Sequence, residues 1–83
     1  MTTPTVCAKA SLNLRGVACP MNYVKTKLRL ERMAPGEVLE IFIDPGAPIR
    51  NVPRSITGDG HRVLACEPED GVFRLLIERG PDA

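Results

Sequence analysis

Tryptophan is missing from this 83-residue chain, and one tyrosine and two phenylalanines are its only aromatic residues. A platform that stacks successive bases needs several exposed rings, so the chain is poorly supplied for single-stranded nucleic acid. Excess charge is scarce too: 11 Lys and Arg against 10 Asp and Glu leave a formal net charge of +1. No broad cationic field is then available to displace counterions from phosphates, and nucleic acid is not expected as a direct partner. No apolar run approaches the ~18 residues of a membrane-spanning helix, so no membrane partner is expected. The opening Met1-Thr2-Thr3-Pro4-Thr5-Val6 lacks the basic-then-apolar order of a secretory signal, and a cytoplasmic location is the expectation.

Cysteine is sparse and odd in number, three in all. In a reducing compartment that does not suggest a disulfide framework. Cys7, Cys19, Cys66 and His61 are ligand types that zinc accepts, but no short Cys-x2-Cys or His-x3-His pair is present, so no metal is expected. Cys66 falls in an apolar strand-like run and reads as a small core residue.

What is present is enough for one modest core. Hydrophobic residues make up 43% and charged residues 25%, ordinary for a globular protein. A chain this short buries only ~60–65% of its unfolded surface, which fits a single domain over 1–83 with loose termini at about 1–6 and 79–83. Ala8 to Leu14 alternates apolar and polar positions, the period of a half-buried strand. Pro20 to about Met33 reads as a helix stopped by Ala34-Pro35-Gly36. Glu37 to Ile43 is a second strand, broken by Asp44-Pro45-Gly46. Ile49, Val52 and Ile56 mark a helical face between Pro48 and about Gly58. Pro53 is awkward inside it, so the helix is expected to start at Asn51 or to carry an irregular first turn. Arg62 to about Glu67 and Val72 to Glu78 are strands joined through Asp70-Gly71, a hairpin signal.

The order β-α-β-α-β-β predicts an α/β fold. A parallel first pair with a right-handed crossover, and two helices on one face of a mixed four-stranded sheet, make a two-layer α/β sandwich. The first helix has two apolar stripes, Tyr23-Leu30-Met33 and Met21-Val24-Leu28. Either one wide buried face takes parts of both, or Met21, Val24 and Leu28 form an exposed patch for a partner.

One cysteine stands where a reactive one would be placed. Leu12-Asn13-Leu14-Arg15-Gly16-Val17-Ala18-Cys19-Pro20 runs from the first strand into the first helix. Proline is favoured at the first helical position, because its missing N–H would have had no partner there. Cys19 is then the expected N-cap, its sulfur near unpaired N–H groups and the positive end of the helix dipole. That setting favours thiolate over thiol.

The Leu-x-Leu-Arg-Gly-x-x-Cys-Pro run resembles the TusA/SirA-type family of small sulfur-carrier proteins. The similarity extends from about Ser11 to Glu78 through Lys25-Thr26-Lys27, Pro35-Gly36-Glu37, Asp44-Pro45-Gly46, Val52-Pro53, Gly60-His61 and the closing hairpin. Members have the two-layer fold inferred above and accept sulfane sulfur as a persulfide on the cysteine matching Cys19. The resemblance implies a sulfur carrier or sulfurtransferase. Its partners would be a sulfur-donor protein of rhodanese or cysteine-desulfurase type and a sulfur-acceptor protein. No metal, nucleotide or organic cofactor is implied.

The chain departs from the family's usual Cys-Pro-x-Pro, reading Cys19-Pro20-Met21-Asn22. With Cys19 as N-cap, Asn22 is the third helical residue, and its N–H, helped by that of Met21, is expected to stabilise the sulfur anion. Arg15 is the strongest candidate for a basic neighbour, with Lys25, Lys27, Arg50 and Arg54 completing a possible rim that attracts an acidic partner. Asp44, at the carboxyl end of the second strand, is placed to hold Arg15 or cap a turn. His61 reads as a solvated loop residue, with general-base chemistry as the alternative. Two rival functions remain at this level: a non-catalytic interaction or regulatory module with the same fold, and an RNA-binding domain.

Overall fold

The first two strands lie side by side in parallel, which turns their apolar positions to one shared face. The computed structural model describes residues 8–18 and 20–81 of the chain; Cys7 and Cys19 lie outside them. The elements are β1 (Ala10–Asn13), α1 (Met21–Glu31), β2 (Val38–Ile43), α2 (Ala47–Gly58), β3 (Arg62–Glu69) and β4 (Val72–Glu78). They form one four-stranded sheet in the order β1-β2-β4-β3. β1 pairs parallel with β2, Ala10 opposite Leu39 and Leu12 opposite Ile41. β2–β4 and β4–β3 are antiparallel. The α/β fold with a mixed sheet is therefore as expected.

The register sorts side chains between two faces. Leu39, Ile41 and Ile43 of β2 stand opposite Ile77, Leu75 and Phe73 of β4. With Leu14, Leu30, Met33, Val52 and Ile56, most of these form the buried core beneath the helices. The other face stays open and is tied together by a polar chain across all four strands. Ser11 donates to Glu40 at 3.0 Å, and Arg74 bridges Glu40 and Glu67. The Arg74 guanidinium holds the Glu40 carboxyl below its usual range.

Several local expectations are corrected. α2 starts at Ala47, four residues before Asn51, with Pro48 in its first turn and Pro53 fully inside. Pro53 removes one hydrogen bond from the ladder; full burial of Val52 and Ile56 offsets that loss. β3 runs on to Glu69, and Pro68 is tolerated because β3 is an edge strand. Cys66 is exposed, not a core residue. It pairs with the buried Leu75, but it sits on an edge strand whose register shifts between Val63 and Ala65. Asp70 and Gly71 make the hairpin turn with φ of 51° and 83°, as a two-residue type I′ turn requires.

His61 is likewise buried, not solvated, and its Nδ1 accepts the Gly80 N–H at 3.0 Å. Arg79 and Gly80, expected to be loose, are pinned. Arg79 exchanges backbone bonds with the Gly36–Glu37 segment, and its Nε donates to the Leu30 carbonyl at 3.1 Å. A Cβ on Gly80 would lie 1.9 Å from the Gly60 carbonyl oxygen, so only glycine fits.

Two predictions come from this latch. Gly80→Ala should lower stability by about 1–3 kcal/mol in urea denaturation, the usual cost of overpacking; an unchanged midpoint would contradict the close approach. Burial, reinforced by the Arg79 charge, lowers the His61 pKa below the ordinary 6.5. The unfolded chain therefore takes up the proton first, so stability is full above pH ~6.5 and falls as acid is added, until the folded ring protonates as well. His61→Asn, which keeps an acceptor and cannot titrate, should flatten this decline below about pH 6.5. An equal slope in both proteins would assign the titration elsewhere.

Candidate functional site

Parallel pairing brings the carboxyl ends of β1 and β2 to one edge of the sheet, and the loop from Leu14 to Ala18 leaves from that edge. Leu14 is buried and its N–H still joins the sheet, donating to the Phe42 carbonyl at 2.8 Å. A tight turn follows, closed by the Val17 N–H on the Leu14 carbonyl at 3.1 Å. Gly16 takes φ +79° within it, a conformation that side-chain-bearing residues rarely adopt. Its N–H is donated to the Asp44 Oδ2 at 2.9 Å. Asp44 thus caps the loop and does not hold Arg15.

Arg15 points elsewhere. Its N–H and its Nε both donate to Asn13 Oδ1, at 3.2 and 2.9 Å. Asn13 lies on the open face of the sheet, where Arg15 lines a hollow of about 240 Å³ with Phe42, Glu69 and Asp70. The expected grouping of Arg15 with the helix start is not found. His61 is also distant: its neighbour Arg62 pairs with Glu78 and Glu78 with Val38, the opposite end of β2 from Asp44. General-base chemistry at this edge has no histidine to use.

The helix side of the loop is held by Asn22. α1 begins at Met21 with Pro20 as its N-cap, one residue later than expected. The Asn22 N–H is already donated to the Ala18 carbonyl at 3.2 Å, and the Val24 N–H to Pro20 at 2.9 Å. The expectation that Asn22 lends its amide to the sulfur is therefore corrected. Its side chain, fully buried, does different work: Nδ2 donates to the Val17 carbonyl at 3.3 Å, and Oδ1 accepts the Tyr23 N–H at 2.7 Å. Among the first amides of the helix, that of Met21 alone has no acceptor among the described residues.

Below Asn22, Thr26 is equally buried and donates back to the Asn22 carbonyl at 2.8 Å. The buried stripe of α1 is Asn22, Thr26, Leu30, and the apolar Met21 and Leu28 are left outside at 50% and 55% exposure. Of the two stripes read from the sequence, Met21-Val24-Leu28 is the outward one. Beside the loop, Gly16, Val17, Ala18, Asp44, Pro45 and Pro48 are among the residues around a shallow concavity of about 390 Å³. Sequence reasoning missed the buried Asn22 and Thr26; no helical periodicity of apolar residues reports a polar stripe. Cys19 itself falls outside the described residues.

These features define a small open-sheet α/β protein whose candidate site is a braced strand-to-helix loop with a cysteine between Ala18 and Pro20. The sequence profile described as Sulfurtransferase TusA matches residues 10–79, and the chain belongs to that family. It is 45% identical over 60 residues to a proposed sulfur carrier protein of Archaeoglobus fulgidus, covering 72% of this chain and 68% of that one. A proposed sulfur carrier protein of Methanocaldococcus jannaschii is 32% identical over 74 residues, covering 89% of this chain and 99% of that one. A SirA-like protein of Desulfitobacterium hafniense has the same fold, with a TM-score of 0.74 at 22% identity, covering 86% and 97% of the two chains.

Asn22→Ala deletes both side-chain bonds and leaves the Val17 carbonyl without its donor. Denaturant titration should show a loss of about 1–3 kcal/mol, as for a buried group left unsatisfied. A loss no larger than that of an exposed alanine substitution such as Lys27→Ala would contradict the brace.

Proposed function

We propose that the protein is a sulfur carrier that accepts sulfane sulfur on Cys19 as a persulfide and passes it to an acceptor protein. The observation that carries this is the double brace on the loop: Asp44 on Gly16 from the sheet side, Asn22 on Val17 from the helix side. A chain segment held from both ends presents the intervening cysteine at small entropic cost on meeting a partner. Family membership supplies the sulfur chemistry.

In the loading step the Cys19 thiolate attacks the terminal sulfur of a donor persulfide. An Sγ–S bond forms, the donor's S–S bond breaks, and its electron pair leaves on the donor thiolate. The sulfane sulfur changes hosts with no net oxidation or reduction. In unloading, an acceptor nucleophile attacks that same terminal sulfur and Cys19 leaves as thiolate. Both steps need an anionic sulfur on residue 19. The helix dipole at the Pro20–Met21 start and the Met21 N–H, which has no acceptor among the described residues, favour that charge. Pro20 contributes by lacking an N–H, and the exposed Met21 offers apolar surface at the helix start. Asp44 and Asn22 are positioning residues, while the Arg15 guanidinium is engaged by Asn13. The donor would be of rhodanese or cysteine-desulfurase type. The setting would be the cytoplasm; no described helix is long and apolar enough to cross a membrane.

The test is a pH profile of alkylation by iodoacetamide in the Cys7→Ser/Cys66→Ser background, with label on Cys19 followed by peptide mapping. The inflection should lie below the ordinary cysteine value of about 8.5. Asn22→Ala should move it upward as the loop loosens. An inflection at or above the ordinary value in the parent would count against the carrier reading.

A further inference from the structure

Charge on this nearly neutral chain is segregated. Along α1 stand Lys25, Lys27, Arg29 and Arg32, with Glu31 the only acid. The ion pairs among the described residues all lie on or beside the sheet: Lys9–Glu37, Arg62–Glu78, Arg74–Glu40 and Arg74–Glu67. None of the four α1 cations has a carboxylate within 4.0 Å among those residues. Compensation of the helix dipole accounts for Arg29 and Arg32 in and just after the last turn, but not for Lys25 one turn and more earlier.

Three of these cations share one flank. Lys25, Arg29 and Arg32 are spaced by four and three residues, and they face the edge of the sheet formed by β1. With Leu12 of β1 and Leu28 of α1 they line a groove of about 250 Å³. Its floor is apolar and its rim wholly cationic. An apolar floor with unpaired cations around it fits a segment that brings carboxylates and an apolar side chain together. The chain's own first seven residues contain no acid and do not complement it. Nucleic acid is the poorer fit, since no aromatic ring lines the groove.

We propose that the groove between α1 and the β1 edge, lined by Leu12, Lys25, Leu28, Arg29 and Arg32, docks an acidic segment of a protein partner that carries an apolar side chain. That this partner exchanges sulfur with Cys19 rests on the carrier function proposed above; the groove's preference for acidic segments does not. Exposed Leu28 lies on the same helix stripe as half-buried Val24 and exposed Met21, so a segment seated there leads toward the helix start.

The probe is a synthetic peptide, Glu-Glu-Leu-Asp-Leu-Glu-Glu blocked at both ends, titrated into the nitrogen-15-labelled full chain. Amide shifts should concentrate on Leu12, Lys25, Leu28, Arg29 and Arg32. Raising salt from 20 to 300 mM should weaken binding at least about fivefold, as the Debye length shrinks from roughly 20 to 6 Å. Lys25→Glu/Arg29→Glu/Arg32→Glu, all surface changes, should abolish binding while the circular dichroism spectrum stays that of the parent. Absence of binding, shifts centred elsewhere, or equal binding of the analogue with Gln for every acid would overturn the proposal. So would displacement of the peptide by a transfer RNA at lower concentration. Sulfur uptake from inorganic polysulfide, read by intact mass, separates the two proposals. A parent chain that binds the peptide in the groove and takes up no sulfur supports the groove while refuting the carrier.

Discussion

Parallel alignment of β1 and β2 is the constraint on which the candidate site depends. It places Asp44 and the Leu14–Ala18 loop at the same edge of the sheet, so that a carboxylate from one strand reaches a backbone amide beyond the other. A parallel pair needs a crossover, and α1 supplies it. The loop that opens the crossover is then braced twice, by Asp44 on the glycine turn and by the buried Asn22 on the helix side. Had the first pair been antiparallel, the end of β2 would lie at the far edge and the loop would have one brace.

The cost of this arrangement appears in the packing of α1. A helix of this length ordinarily turns its most apolar stripe to the core. Here Asn22 and Thr26 take that place, each satisfied by nearby backbone, and Met21 and Leu28 are displaced outward. No buried side-chain nitrogen or oxygen among the described residues lacks a partner. The polar stripe is thus affordable inside the core, and the displaced apolar residues become surface that a partner can cover. Cations along the same helix meet no carboxylate within 4.0 Å among the described residues, while Glu40 and Glu67 pair with Arg74 across the open sheet face. A net charge of +1 hides this polarity.

Elements with strong local signals were legible from residue order alone. β2 follows from its apolar run between turn signals, and β4 and the Asp70-Gly71 turn from alternation and from the need for positive φ at both turn positions. The αβ layering followed from their order. What was not legible depended on neighbours distant in sequence. Cys66 reads as interior by its apolar company, yet β3 is an edge strand with a register shift, and the strand order cannot be deduced from β3 itself. His61 reads as a loop residue, yet the chain end returns to bury it through Gly80. Pro53 reads as a helix breaker, yet burial of Val52 and Ile56 outweighs one missing hydrogen bond. At the site, Cys-Pro marked the helix start to within one residue, while the role of Asn22 moved from its amide to its side chain.

The claim that most needs measurement is that sulfur travels on residue 19. Incubation of the full chain with inorganic polysulfide, removal of excess reagent, and intact-mass analysis with peptide mapping address it directly. The account predicts a gain of one sulfur atom mapped to Cys19, reversed by dithiothreitol and absent in Cys19→Ser, with Cys66→Ser loading as the parent does. Sulfur found on the exposed Cys66 instead, or no gain at all on a folded chain, would contradict it.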